Sequence, residues 1–274
     1  MNSILVGVRP IPARNPPNRF AASSLDYLDE LPGPEVELSV YEDHTKDILS
    51  ENDSPDIGFR FSVNPVCAEY RNPVHIITKS PLIERDIEIL QNLNAVASVG
   101  VSVSIPFWSE ETARKLEPFV TTPARRMKAV QRLAAAGIPV TVNIAPLILG
   151  LGDRDVPSIL EAAAAAGARG ATLIPLRLPG SVKEVFTERL QAAFPLSAEK
   201  VLRRTREMRG GKLYDSRYGK RMQGEGQMLQ AVQRLFETSC ARLGLNRQEG
   251  HRQEPAPTFR RPTDKGGQLR LFER

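Results

Sequence analysis

From residue 74 onward the apolar positions fall into two alternating rhythms. Short runs rich in β-branched residues read as strands: His75–Thr78, Val99–Ile105, Pro139–Ala145 and Ala171–Leu178. Between them, apolar residues recur three and four positions apart, the spacing of a helix face. Leu82, Ile83, Ile87, Leu90 and Leu93 make one such face. A second helix is predicted from Pro123 to Ala136. Thr122 can cap it through its hydroxyl, Pro123 suits the first helical position, and Gly137 suits its end. Val156–Ala166, closed by Gly167, and Val182–Ala193 predict two more. Lys200–Arg209 reads as a basic helix broken by Gly210-Gly211. Gln227–Leu243 reads as amphipathic, with Leu229, Val232, Leu235 and Phe236 apolar.

Strands alternating with helices predict an α/β fold of parallel βαβ units, curled by right-handed crossovers into an open or closed barrel. Functional residues are then expected at the carboxyl ends of the strands. Those ends are Thr78–Ser80, Ser102–Ser104, Asn143–Gly152 and Arg177–Pro179. The core is assigned to residues 61–195. Residues 1–60, rich in Pro, Asn, Asp and Ser, read as an extended N-terminal arm with a short strand near Val36–Tyr41. Residues 196–250 form a basic helical extension, and 251–274 a loosely ordered tail in which Leu269, Leu271 and Phe272 could dock.

Composition narrows the function classes. Leu133–Gly152 is uncharged and near membrane length, but Pro139, Asn143, Pro146 and a β-branched middle make it a helix end, turn, strand and loop. The apolar run Ile4–Val8 is too short for a signal peptide. No membrane partner is expected. Two cysteines far apart, Cys67 and Cys240, imply no disulfide framework and suit a reducing cytoplasm. His44, His75 and His251 lack metal-ligand spacing, so no metal site is assigned from them.

The net charge is +5 and unevenly spread. Between Lys200 and Met222 nine basic residues face only Glu207 and Asp215. Such a segment can hold nucleic-acid phosphates, with Arg203, Arg204, Arg206 and Lys212 as candidates and Tyr214 and Tyr218 as stacking groups. The same pattern also describes a solvated helix face.

Several motifs then occur in one order: Asn15-Pro16-Pro17-Asn18-Arg19-Phe20; Ser54-Pro55-Asp56-Ile57 with Ser62-Val63-Asn64-Pro65; Ile76-Ile77-Thr78-Lys79-Ser80 with Arg85-Asp86; Leu116-Glu117-Pro118 with Pro123-Ala124-Arg125-Arg126; Ala136-Gly137-Ile138-Pro139-Val140 with Ala145-Pro146; Leu176-Arg177-Leu178-Pro179; and Tyr214-Asp215-Ser216 with Arg221-Met222-Gln223-Gly224-Glu225-Gly226. In this order they resemble the spore photoproduct lyase-related group of radical S-adenosylmethionine (SAM) proteins. The resemblance implies a TIM-barrel-like (β/α) fold and reductive cleavage of SAM by a 4Fe–4S cluster, with DNA repair as one family role. It also implies SAM-facing positions: Ser102 and Ser104 at the fourth family strand, Pro146, Gly150 and Gly152 in the turn beside adenine, and Arg177 at the sixth. Each position also has a structural reading, as barrel-lining serines, a βα turn and an arginine in a salt bridge. Phe119 stands where the group usually has arginine after Glu117-Pro118.

One departure decides the expected chemistry. In the group, Asn64-Pro65 leads into a loop bearing CxxxCxxC, whose three thiolates hold the cluster. Here Pro65 runs into Val66-Cys67-Ala68-Glu69-Tyr70-Arg71-Asn72-Pro73, which resembles the end of the second family helix. The gap removes one to two βαβ units, each of roughly 30 residues or more. The expectation is a partial barrel without its first units, with no catalytic residues, unable to bind the cluster. A partial barrel would expose strand edges and be poorly soluble. The alternatives are a nucleic-acid-binding remnant and a truncated gene product without function.

Overall fold

The computed structural model describes residues 2–8, 39–42, 67–217, 222–247 and 258–260. Six strands share one sheet. They are β1 (Asn2–Val8), β2 (Ser39–Glu42), β3 (Val74–Thr78), β4 (Val99–Ser104), β5 (Val140–Leu147) and β6 (Gly170–Pro175), in the order β2-β1-β3-β4-β5-β6. The strands from β3 to β6 run parallel, as the strand–helix alternation predicts. β1 lies antiparallel to both β2 and β3.

Register gives the sheet two faces. Ile76, Val101 and Val140 share one row, and Val103, Val142 and Ala171 the next, all buried. The helices are α1 (Ile87–Asn94), α2 (Glu110–Leu116), α3 (Pro123–Ala135), α4 (Val156–Ala165), α5 (Val182–Ala193), α6 (Pro195–Met208) and α7 (Gln227–Leu243). α1, α3, α4 and α7 pack against the strands, while α2 packs against α3 and α5, and α6 against α5. Leu90 and Leu93 of α1, Val130 and Leu133 of α3, and Ile159 and Leu160 of α4 join the strands in one core. The opposite face is polar except at Ile77: Ser104, Asn143 and Thr172 form one row, and Ile77, Ser102 and Thr141 the next.

Local sequence accounts for most boundaries. Thr122 accepts from the Arg125 N–H at 3.3 Å and starts α3 before Pro123. The face from Leu82 to Leu93 divides into a 3-10 turn, Pro81–Asp86, and α1. Ser80 caps the turn, accepting from the Leu82 N–H at 3.2 Å. α6 starts at Pro195, five residues before the predicted Lys200, because a proline costs nothing in a first helical turn. α2 was not expected. Ser109 caps it, and Glu110–Arg114 and Glu111–Lys115 pair one turn apart at 2.5 and 2.6 Å. Leu133–Gly152 is the end of α3, a turn, β5 and a loop. No helix of the described residues is long and apolar enough to cross a membrane.

Both sides of the parallel strands are covered. The N-terminal strand pairs with β3, Leu5 opposite Ile77 and Val8 opposite Val74. At the far side Asn246 acts as a short strand mimic. Its amide accepts from the Ala171 N–H and donates to the Ala171 carbonyl, both at 2.9 Å, while its own N–H reaches the Arg169 carbonyl. The expected exposed edge at β3 is thus occupied by β1, a strand that the polar, aperiodic N-terminal sequence did not announce.

Candidate binding face at the carboxyl ends of the strands

Ser102 and Ser104 stand on the polar face of β4, both buried. Ser102 Oγ lies 2.8 Å from His75 Nε2. The histidine ring lies across Gly100, where a Cβ would come within 2.6 Å of Nδ1. Asn143, also buried, accepts from the Thr172 hydroxyl at 2.7 Å. Asn143 opens one of the strand ends at which functional residues are expected, whereas Thr172 lies outside them. The register of β4, β5 and β6 sets both in one row with Ser104.

The motif residues after β3 and β4 converge on one buried ion network. Arg126, 1% exposed, donates to the Ser104 carbonyl and the Thr121 carbonyl at 2.8 Å and to Glu117 at 2.9 Å. Lys79 closes on the other Glu117 oxygen. Burial pushes the Glu117 carboxyl up, but Lys79 and Arg126 beside it outweigh this and hold it below the usual carboxylate range. Glu84 behaves alike: burial raises it, and Arg125 and Arg132 bring it down further. These motifs fasten the loops that follow the strands.

Pro146, Gly150 and Gly152 fall in and after β5. The Ala145–Pro146 peptide is cis. Gly150 donates its N–H to Asp153 at 2.6 Å, and its φ of +99° is in the region that favours glycine. A Cβ there would meet Arg204 and Val201 of α6, and one at Gly152 would lie 2.9 Å from the Pro106 carbonyl. The close approaches that the two glycines allow are therefore to the chain itself.

Arg177, two residues past β6, meets the extension. Its Nη1 is 3.0 Å from the Met222 sulfur. Buried Arg209, at the end of α6, donates to the Leu176 carbonyl at 2.7 Å, to the Pro175 carbonyl at 3.4 Å and to the Gln223 carbonyl. Burial, then the charge of Arg177, lowers the Arg209 pKa. The sequence pattern places Arg209 only at the end of a basic helix.

The candidate phosphate-binding residues separate. Arg203 is exposed, 3.8 Å from Glu207, and Arg206 lies 3.6 Å from Glu199. Arg204 turns inward toward Asp153 at 3.7 Å, and Lys212 is exposed. Tyr218 and the junction at Pro65–Val66 lie outside the described residues, as do the motifs Asn15–Phe20 and Ser54–Pro65, His44, His251 and the tail from 261.

A 4Fe–4S cluster does not fit the thiols of this chain. Cys67 sits in the helical turn before β3, and Cys240 on α7, which packs by β6 at the other side of the parallel strands. Both are buried, and burial raises both thiol pKa values, opposite to what a thiolate ligand needs. Among the described residues no group of three His, Cys, Asp or Glu could hold a metal ion.

Similarity to known proteins agrees with the sheet. The chain is 33% identical over 125 residues to the uncharacterized protein Rv2578c of Mycobacterium tuberculosis, and equally to the uncharacterized protein Mb2609c of Mycobacterium bovis. The match covers 45% of this chain but only 37% of each relative. Residues 37–163 match the Radical SAM superfamily, a span holding β2, the parallel strands β3 to β5 and most of α4. Residues 37–163, less than half of the chain, are thus similar to a radical SAM superfamily domain.

Proposed function

We propose that this chain belongs to the spore photoproduct lyase-related branch of the superfamily and does not cleave SAM reductively by itself. One observation carries the reading. The chain has two cysteines, both buried and on opposite sides of the parallel strands, where a SAM-cleaving cluster takes three thiolates from one loop. SAM contact without the cluster would fall on Ser102, Ser104, Pro146, Gly150, Gly152 and Arg177. Ser102 already engages His75, and the glycines face their own chain, so such binding is weak.

Anaerobic reconstitution of the full chain with iron and sulfide tests this. The expected result is no retained iron–sulfur absorption and no 5′-deoxyadenosine from SAM and dithionite. A retained cluster with 5′-deoxyadenosine formation would overturn the reading. The coding transcript across Asn64–Arg71 is likewise expected to encode no further cysteines.

A second reading, contact with a nucleic-acid backbone, rests on the exposed Lys200, Arg203 and Lys212 around α6. It requires binding to short DNA that weakens with salt and with Arg203→Ala, Arg206→Ala and Lys212→Ala together. Absence of a mobility shift at low salt removes it.

A further inference from the structure

Residues 258–260 return from the end of the chain to the turn that leads into β3. The Arg260 N–H donates to the Tyr70 carbonyl at 2.7 Å, and the Thr258 hydroxyl to the Arg71 carbonyl at 2.8 Å. Arg71 has a φ of +51°, in the left-handed region that a side chain disfavours. The two bonds thus grip the strained residue and the one before it. Inside the turn the Asn72 N–H donates to the Cys67 carbonyl at 2.8 Å, and the Arg71 N–H to the Ala68 carbonyl at 3.2 Å. Just beyond it Val74 starts β3, the strand whose His75 meets Ser102. Among the described residues these two are the hydrogen bonds that residues 258–260 make. Arg260 is exposed, and Thr258 and Phe259 are half-buried. A contact of this size opens more readily than the core beneath it.

We propose that residues 258–260 are a releasable strap, which holds the turn before β3 in its strained form and couples the C-terminal part of the chain to the start of that strand. With the strap in place Arg71 stays left-handed. Without it Arg71 relaxes out of that region, and the turn from Cys67 to Asn72 loosens. The chain carries its own reporters. Cys67 starts the turn and is buried. Cys240, on α7 by β6, is buried at the other side of the parallel strands. A buried thiol reacts only when its surroundings open, so its rate follows the open population. The strap involves no cluster, so it stands or falls apart from the reading above.

The test is alkylation of the full chain by iodoacetamide, with Cys67 and Cys240 followed separately by peptide mass. Thr258→Val removes one of the two bonds and keeps the shape of the side chain. It should quicken Cys67 about two- to tenfold, the factor that one hydrogen bond contributes to an equilibrium. Deleting residues 258–274 should quicken Cys67 further, and Thr258→Val carries the test if that deletion does not fold. Cys240 should be unchanged in both. Arg71→Gly relieves the left-handed strain and leaves both acceptor carbonyls in place, so added to Thr258→Val it should recover part of the protection. Unchanged labelling of Cys67, equal quickening of Cys240, or no recovery by Arg71→Gly overturns the proposal.

Discussion

Arg126 and Glu117 form a buried ion pair at 2.9 Å that ties the carboxyl end of β4 to the loop before α3. The other nitrogens of Arg126 hold backbone carbonyls, one of them that of Ser104, so the pair fixes the strand end on which the polar face is built.

Removing the carboxylate should therefore be severe. Glu117→Gln leaves the charge of Arg126 buried without its counter-ion, which costs about 3–5 kcal/mol. Lys79 is a quarter exposed and can turn to water, so Lys79→Met should cost less, about 1 kcal/mol. Urea unfolding monitored by circular dichroism checks both. Equal losses would show that Lys79, not Arg126, is the partner that matters.

Acid should act through the same carboxylates. Glu117 and Glu84 both titrate below their ordinary value in the folded chain. The unfolded state thus binds their protons first as pH falls. Their contribution is fully present above about pH 4.3, the unfolded carboxylate value, and is lost as pH drops through the lower folded value. The urea midpoint should be flat in this respect from pH 7 to about 5 and fall below. The acid limb should be shallower in Glu117→Gln than in the native chain.

Much of this was legible beforehand, and the exceptions have physical reasons. The strand and helix pattern from Val74 to Ala193 was readable because each element buries one face, so β-branched runs and helical spacing alternate. Val182–Ala193 and Gln227–Leu243 match their expected bounds. β1 was hidden because a seven-residue strand beside a long polar stretch announces no partner. Asn246 was hidden because a side chain that pairs with a strand backbone leaves no periodic trace. At the candidate site, the motifs assign Lys79 to the third family strand and Glu117 and Arg126 to the segment after the fourth, but only the fold shows that they bond to one another. Arg209 was read as one more surface charge, since its burial depends on Pro175, Leu176 and Gln223, residues distant in sequence.

Gly152 separates packing from ligand approach. A Cβ there would press on the Pro106 carbonyl at 2.9 Å and on the Phe107 ring at 3.4 Å, both parts of the segment following β4. Backbone and a buried ring yield little, so Gly152→Ala should destabilise by about 1–3 kcal/mol. Thermal unfolding reads this. Unchanged stability with weakened SAM binding would instead mark Gly152 as a ligand-facing position.

The N-terminal strand should protect the β3 side of the parallel strands. A bare β3 would present unpaired N–H and C=O groups, a template for pairing with another chain. β1 fills that side antiparallel, with Val6 opposite Ile76 and Gly7 opposite His75. Deleting residues 1–8 removes those bonds and leaves in place the core residues of β3 to β6 and of the helices. The truncated chain should therefore keep its helical circular dichroism yet self-associate, detected as concentration-dependent light scattering. Hydrogen exchange should quicken at the amides of β3 and not at those of β5, which keeps both neighbours. A truncated chain that stays monomeric with unchanged exchange at β3 would mean that β1 does not guard this edge.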